Sequence, residues 1–221
     1  MHISAYIDHT LLKASADERD IIQLCKEAAE HRFYAVCVNG CYVKLCKKLL
    51  AASGVKVASV IGFPLGAMSS KSKTAEARNA LADGADEFDM VINIGWLQSG
   101  KYGEVETEIR QLKQAIGDTI LKVIIETCYL TEEEKKIATQ LTVNAGADFV
   151  KTSTGFGTGG ATIEDIVLMK SVIQGKIQIK ASGGIRDYET AKQYIDLGVT
   201  RIGTSNGIQI VTGQKGTEGN Y

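Results

Sequence analysis

Two lysines stand inside short apolar runs, where a folded chain would bury its backbone. Lys151 follows Phe149 and Val150, and Lys180 follows Ile179 in a similar run. Burying an unpaired ammonium group is costly, so each lysine needs either a structural ion pair or a function. A functional site is the favoured interpretation, and structural ion pairing is the alternative.

Two neighbouring lysines have a specific chemical use. A lysine with its ordinary pKa is almost fully protonated at pH 7, which makes it a poor nucleophile. A nearby cation and partial desolvation both disfavour the protonated form. Lys151 and Lys180 therefore predict a Schiff-base lysine whose pKa is lowered by its neighbour. Asp89, which stands between Phe88 and Met90 in a third apolar run, could hold the second lysine and relay protons.

A fourth apolar run carries Lys122 and Glu126. A strand period of two places both side chains on one face of the predicted strand. For this pair, a structural or solvent-exposed position is about as well supported as a functional one.

Glycine-rich segments follow three of the predicted strands. Lys151 leads into residues 152–160, Lys180 leads into residues 181–186, and the last strand ends in residues 203–207. Backbone N–H groups in such loops bind phosphate at the mouth of many barrels, and ligand-free tight turns are the alternative. Residues 155–160 also match the dinucleotide pattern G-x-G-x-x-G. The acidic residue expected about 20 positions later is absent, so we expect no dinucleotide site.

Elements that alternate along the chain must position these residues. Four glycines each follow an amphipathic segment and precede an apolar run: Gly54, Gly84, Gly146 and Gly198. Each predicts the left-handed end of a helix followed by a buried strand. Capping-box patterns at 15–18 and 131–134 predict two helix starts.

The pattern predicts eight strands, near residues 5–9, 35–39, 57–62, 87–93, 121–127, 148–153, 177–182 and 201–205. Helices are predicted after Ser15 and Thr131 and over 41–52, 69–83, 103–116, 163–174 and 187–197, and residues 203–207 are predicted to open a further short helix. Eight such units predict an α/β fold, a single (β/α)8 TIM barrel. An open doubly wound sheet is the alternative, because local patterns do not show closure. We expect residues 1–221 to form one domain with a mobile tail over about 213–221.

Composition excludes several classes of protein. The chain has 221 residues, of which 44% are hydrophobic, and a formal net charge of −1. This balance argues against a disordered chain and against a nucleic-acid partner. No apolar run reaches the ~20 residues that span a bilayer, and no signal peptide is evident, so we expect a cytoplasmic protein without a membrane partner. The cysteines show no metal-ligand spacing, so we expect reduced thiols and no metal site.

Five motifs resemble those of class I deoxyribose-phosphate aldolases, and they span nearly the whole chain: Ile7-Asp-His-Thr-Leu-Leu12, Glu87-Phe-Asp-Met-Val-Ile-Asn93, Lys122-Val-Ile-Ile-Glu-Thr127, Lys151-Thr-Ser-Thr-Gly-Phe156 and Lys180-Ala-Ser-Gly-Gly-Ile-Arg186. The resemblance implies a TIM barrel that works without a cofactor or metal. It also implies reversible cleavage of 2-deoxy-D-ribose 5-phosphate to acetaldehyde and D-glyceraldehyde 3-phosphate, in deoxyribonucleoside catabolism.

The resemblance also assigns residues. It makes Lys151 the Schiff-base lysine, and it makes Lys180 the lysine that perturbs Lys151 and shares proton transfer with Asp89. The residues implied for the walls of the site are Cys37, Lys122 and Thr152. The candidates for binding phosphate are Gly155, Gly183, Gly184, Gly203, Thr204 and Ser205.

Phe156 departs from the family, because some members carry a lysine there that reaches towards the phosphate. Backbone donors are therefore expected to carry more of the phosphate binding. The terminal Tyr221 is a candidate proton carrier, and the resemblance implies a homodimer or larger assembly. Two other functions stay open: a transaldolase-like transferase, and a barrel that binds a phosphorylated metabolite without catalysis.

Overall fold

Eight parallel strands form a closed barrel in the computed structural model, which describes residues 2–214. The strands are β1 (Ile7–Leu11), β2 (Ala35–Val38), β3 (Lys56–Ile61), β4 (Glu87–Val91), β5 (Ile120–Ile124), β6 (Phe149–Lys151), β7 (Gln178–Ser182) and β8 (Arg201–Thr204). Each strand pairs with the next one in sequence, and β8 pairs with β1 through Asp8 and Gly203. This closure confirms the predicted TIM barrel and excludes the open sheet.

Helices connect the strands. They are α1 (Glu18–Glu30), α2 (Val43–Leu49), α3 (Ser70–Ala82), α4 (Ile94–Gln98), α5 (Tyr102–Ile116), α6 (Glu132–Asn144), α7 (Ile163–Ile173), α8 (Tyr188–Asp196) and α9 (Gly207–Thr212). Every predicted helix is present. The short helix α4 was not predicted.

Two predicted starts were wrong. The first strand begins at Ile7 because the preceding residues, Ile3–Tyr6, form a 3-10 turn. Helix α1 is capped by Asp17 and not by Ser15: the Asp17 carboxylate accepts from the backbone N–H of Asp20, and the Asp20 side chain accepts from that of Asp17. The capping box from Thr131 to Glu134 is confirmed.

Three of the four glycines predicted to end helices do so directly. Gly84, Gly146 and Gly198 come just after α3, α6 and α8, with φ values of +100°, +80° and +99°. Gly54 also has a positive φ of +79°, but α2 ends at Leu49, so Gly54 lies in the connection between α2 and β3. The prediction that Gly54 ends the helix was therefore wrong.

The barrel interior has an apolar side and a charged side. Most of the hydrophobic core lies between the barrel and its helices, but Leu12, Cys37, Ala58 and Val60 form a separate small cluster with Phe63 packed on it. Buried ionisable side chains stand on β1 and on β4 to β8. This division places an apolar wall opposite a set of buried charges.

Among residues 2–214, no helix combines the length and the apolar character needed to cross a membrane. Of the tail predicted to be mobile, only Gly213 and Gln214 belong to the described part of the chain. Tyr221 lies outside it, so its role stays a prediction.

Candidate active site

The carboxylate of Asp89 lies at the centre of the buried charges. Its Oδ2 accepts hydrogen bonds from the Nζ atoms of both Lys151 and Lys180, each at 2.8 Å. Its Oδ1 accepts from Lys122 Nζ at 2.7 Å. The strand register explains this convergence, because Asp89 pairs with Lys122 across β4 and β5, and Lys151 pairs with Lys180 across β6 and β7. The three residues predicted to be catalytic therefore meet at one oxygen.

Three further buried charges adjoin this group. Asp8 accepts from Lys180 Nζ and from Arg201 Nη1, the latter at 3.0 Å. Glu87 pairs with Lys122 at 2.7 Å and with Arg201 at 3.0 Å. The Arg201 guanidinium lies 3.4 Å from the centre of the Tyr34 ring, a cation–π contact.

The sequence argument did not single out Asp8, Glu87 or Arg201. Glu87 stands two positions before Asp89 on the same strand, so the strand period could have placed both side chains in the interior. Asp8 and Arg201 also stand in predicted strands. Their contacts depend on the pairing of β1 with β8, which no local pattern shows.

The protonation states in this cluster are linked by its charge balance. Three carboxylates, those of Asp8, Glu87 and Asp89, are buried together with four basic groups. If every base were protonated, the buried cluster would carry one excess positive charge. Arg201 stays protonated, so a neutral amine at one of the three lysines, Lys122, Lys151 or Lys180, balances the charges, and balance is strongly favoured in a buried cluster.

The pKa shifts single out Lys151. Burial lowers the pKa of Lys151, Asp89 opposes this shift, and the positive charge of Lys180 adds to it. Burial would also lower the pKa of Lys180, but the negative charges of Asp8 and Asp89 raise it above its ordinary value. The pKa of Lys122 is raised in the same way, chiefly by Asp89. Of these three lysines, Lys151 alone has a lowered pKa, and burial contributes more to the shift than Lys180 does.

The two central carboxylates remain ionised. Burial alone would raise the pKa of Asp8, but Lys180, Arg201 and Lys122 lower it to about 2. Burial would likewise raise the pKa of Asp89, yet the three lysines hold it well below its usual range. Both side chains therefore act as fixed negative charges at neutral pH.

The residues predicted to line the site lie close to this cluster. Cys37 is fully buried in the small apolar cluster, and burial is the largest cause that raises its thiol pKa to about 11. Thr152 is buried beside Ser182: its hydroxyl donates to the Ser182 carbonyl and accepts from the Ser182 N–H, both at 3.1 Å. Lys122 lies within the charge cluster, where it holds Asp89 and Glu87.

Two of the glycine-rich loops touch each other. A Cβ atom added to Gly160 would lie 2.2 Å from the carbonyl oxygen of Gly183, so the backbones pack directly together. Ala161 N–H donates to the Ser182 carbonyl at 3.0 Å. Gly183 and Gly184 have φ values of +86° and +78°, and Gly155 has +87°. These loops lie at the carboxyl ends of β6 and β7.

The third loop begins beside Lys180. A Cβ atom on Gly203 would lie 3.1 Å from Lys180 Cε, so this glycine leaves room for the lysine side chain. The Thr204 hydroxyl donates to the Ile185 carbonyl at 2.7 Å and accepts from Asn206 N–H at 2.9 Å. Ser205 follows as a half-buried residue. The hydrogen bond from Thr204 to Ile185 thus connects the end of β8 to the loop after β7.

Phe156 and Glu126 lie just beyond the carboxyl ends of β6 and β5. The half-exposed ring of Phe156 packs edge-on against Phe63, with ring centres 5.3 Å apart. Strand β5 ends at Ile124, so the prediction that Glu126 shares a strand face with Lys122 was wrong. Glu126 instead has a left-handed φ of +53°, which turns the backbone away from the direction of β5.

Within the described part of the chain, no group of three or more histidine, cysteine, aspartate or glutamate side chains is arranged to hold a metal ion.

Comparisons with known proteins agree with the fold and the motifs. The family model described as DeoC/LacD family aldolase matches residues 3–211. The deoxyribose-phosphate aldolase of Brevibacillus brevis is 57% identical over 221 residues, which cover all of both chains. That of Thermococcus gammatolerans is 56% identical, with 99% of each chain covered. The tetrameric structure of deoxyribose phosphate aldolase from Aeropyrum pernix superposes with a TM-score of 0.86 at 32% identity, covering 95% of this chain and 89% of the other. The chain belongs to the DeoC/LacD family of aldolases.

Proposed function

We propose that this protein reversibly cleaves 2-deoxy-D-ribose 5-phosphate to acetaldehyde and D-glyceraldehyde 3-phosphate through a Schiff base on Lys151. The observation that carries the proposal is that Lys151 shares Asp89 Oδ2 with Lys180 and has a lowered pKa, whereas the pKa of Lys180 is raised. An amine that loses its proton more readily therefore stands beside one that holds its proton more tightly. An aldolase of this type needs both kinds of amine.

The reaction begins with attack by the neutral Lys151 amine on the aldehyde carbon of the open-chain sugar. The C–N bond forms, and the product is a carbinolamine. Protonated Lys180 donates a proton to the carbinolamine hydroxyl, which leaves as water and gives an iminium ion. The raised pKa of Lys180 keeps this amine protonated in the free enzyme, so a proton is available for this step.

Neutral Lys180 then serves as the base for bond cleavage. It accepts the proton of the hydroxyl on sugar carbon 3, and the bond between carbons 2 and 3 breaks. The electron pair of that bond moves into the iminium and forms an enamine, while carbon 3 leaves as the aldehyde of glyceraldehyde 3-phosphate. Return of the proton to carbon 2 and hydrolysis of the imine release acetaldehyde. Asp89 contacts both amines in the free protein and holds Lys180 in place.

The phosphorylated end of the substrate is proposed to bind at the glycine-rich loops. Gly155, Gly183, Gly184 and Ser205 lie in three loops that follow β6, β7 and β8, and Thr204 is the last residue of β8. Backbone N–H groups in such loops bind a dianion without a side-chain cation. Gly203 contributes by making room for Lys180, and Phe156 supplies no charge.

The walls complete the proposed site. Cys37, as a neutral thiol in the apolar cluster, gives the two-carbon fragment an uncharged surface. Thr152 ties β6 to β7, and Lys122 fixes the other oxygen of Asp89.

Cleavage of 2-deoxy-D-ribose 5-phosphate, followed as formation of D-glyceraldehyde 3-phosphate, tests this function. We expect turnover without added cofactor and unchanged turnover after chelation. A Lys151→Met variant should be inactive. Binding of the sugar phosphate without turnover would favour a non-catalytic barrel, and transfer of a three-carbon ketol unit would favour a transaldolase-like enzyme.

We further propose that residues 1–221 act as one domain, in the cytoplasm, as a homodimer or larger assembly. The tetrameric relative from Aeropyrum pernix supports self-association. Light scattering of the purified protein tests this, and the mass of a single chain would contradict it.

A further inference from the structure

Glu126 is a buried carboxylate that the proposed mechanism does not use. It lies two residues beyond the end of β5, and its side chain is almost completely buried. Its φ of +53° lies in the left-handed region, which residues other than glycine rarely occupy. Such strain persists where surrounding contacts hold it, often at functional sites.

The carboxylate of Glu126 is held mainly by the loop after Lys151, with Cys128 Sγ of its own turn also donating to Oε1 at 3.9 Å. Thr154 N–H donates to Glu126 Oε1 at 3.1 Å, and the Thr154 hydroxyl donates to Oε2. The same hydroxyl oxygen accepts from Phe156 N–H at 3.0 Å. One carboxylate therefore fixes the first turn of the loop, three residues beyond Lys151.

The loop also packs closely on the turn that begins at Glu126. A Cβ atom on Gly157 would lie 2.8 Å from Cys128 Sγ and 3.3 Å from Glu126 Cδ, so a larger residue would push the loop away. At its far end, Gly160 packs directly on the backbone of Gly183. The segment 154–160 thus spans from Glu126 to the glycine loop after β7.

We propose that Glu126 is a positioning residue that sets the conformation of loop 154–160 for the phosphorylated end of the substrate. This inference rests on the proposed function. Both carboxylate oxygens accept hydrogen bonds from Thr154, so Glu126 acts through the loop. Position 156 carries a phenylalanine and not a cationic side chain, so phosphate binding depends on accurately placed backbone N–H groups. Glu126 fixes the direction of those N–H groups in loop 154–160.

The test compares Glu126→Ala with a matched control, Glu134→Ala. Glu134 forms the same pair of bonds with Thr131, to its backbone N–H and its hydroxyl, but at the start of α6. Each variant is assayed with 2-deoxyribose 5-phosphate and with unphosphorylated 2-deoxyribose. Calorimetry measures inorganic phosphate binding, and borohydride reduction with acetaldehyde measures the competence of Lys151.

For Glu126→Ala, we expect KM for the phosphorylated sugar and Kd for phosphate to rise about tenfold to a hundredfold, as expected for lost charge-assisted hydrogen bonds. Turnover of 2-deoxyribose and trapping of acetaldehyde should stay within about twofold of wild type. Thr154→Val should match Glu126→Ala, and the double variant should be no worse, because both changes break one chain of bonds. Glu134→Ala should show none of these effects.

Equal losses with both sugars, or unchanged phosphate binding, would overturn the inference. Loss of trapping in Glu126→Ala would also overturn it, because Glu126 would then act on Lys151. If Glu126→Ala does not fold, two other variants decide the question: Glu126→Gln, which keeps an acceptor for Thr154 N–H, and Thr154→Val. The quantity compared is again the loss of activity with 2-deoxyribose 5-phosphate relative to that with 2-deoxyribose. A wild-type protein that binds phosphate but traps no acetaldehyde would refute the proposed function, and phosphate titration of the variants would still decide the role of Glu126.

Discussion

Replacing Lys180 by methionine tests how the buried charges tune Lys151. Lys180 and Lys151 Nζ each lie 2.8 Å from the same oxygen of Asp89, so the two nitrogens are no more than twice that distance apart. Removing the Lys180 charge removes a cation that lowers the pKa of Lys151. It also leaves Asp89 with one ion-pair partner fewer, so the Asp89 carboxylate stabilises the protonated form of Lys151 more strongly. Both effects raise the pKa of Lys151.

The expected kinetic loss is about 10²–10⁴-fold in kcat, the range for loss of a positioned acid–base group. The acidic limb of the pH profile of kcat/KM should move to higher pH, because Lys151 stays protonated further up the scale. Unfolding free energy should fall by about 3 kcal/mol, at the low end for breaking a buried ion pair. The cost stays at the low end because Asp8 keeps Arg201, and Asp89 keeps Lys122 and Lys151.

Lys122→Met is the matched control. Lys122 is equally buried and bonds the same carboxylate at 2.7 Å, but through Oδ1, the oxygen that Lys151 does not contact. It should lose comparable stability and shift the acidic limb less: its loss also leaves Asp89 with one cation fewer, but not at the oxygen that Lys151 contacts. An unchanged acidic limb in Lys180→Met, or an equal shift in both variants, would refute the reasoning.

Three further predictions concern stability and thiol reactivity. Lys73→Met should lower the unfolding free energy in urea by about 3–5 kcal/mol, because buried Glu108 loses the ammonium 2.8 Å away; a loss below about 1 kcal/mol would contradict this. The pKa of Asp8 falls from 3.8 to about 2 on folding, so its contribution of about 2 kcal/mol is present above pH 4 and should disappear as pH falls towards 2. Denaturation curves across that range check this, and an equal decline in Asp8→Asn would count against it. Iodoacetamide at pH 8 should label exposed Cys41 and spare buried Cys37, whose pKa is about 11; peptide masses showing Cys37 labelled first would disprove this.

The lysines and Asp89 could be predicted because an ionisable residue within an apolar run is conspicuous. The eight strands were predictable for a related reason, since buried parallel strands are short and apolar and their helices carry strong end signals. The N-cap of α1 was misplaced because Ser15 and Asp17 both suit that position, and the local chain settles on Asp17.

The rest depends on tertiary structure. Asp8 meets Lys180 across 172 residues of sequence, and only closure of β1 on β8 brings them together. The sequence pattern also extends the fifth strand to residue 127, whereas the left-handed turn at Glu126 is held by Thr154, 28 residues later. Neither contact leaves a local signal, so the raised pKa of Lys180 and the position of Glu126 required the folded chain.

Site-resolved trapping tests the central claim most directly. The protein is reduced with borohydride in the presence of acetaldehyde and digested, and the peptides are mapped by mass. An ethyl group is predicted on Lys151, with Lys180 and Lys122 unmodified, because Lys151 alone of the three has a lowered pKa. An ethyl group on Lys180 instead, or no modification of Lys151 while a known Schiff-base aldolase is trapped under the same conditions, would contradict the account.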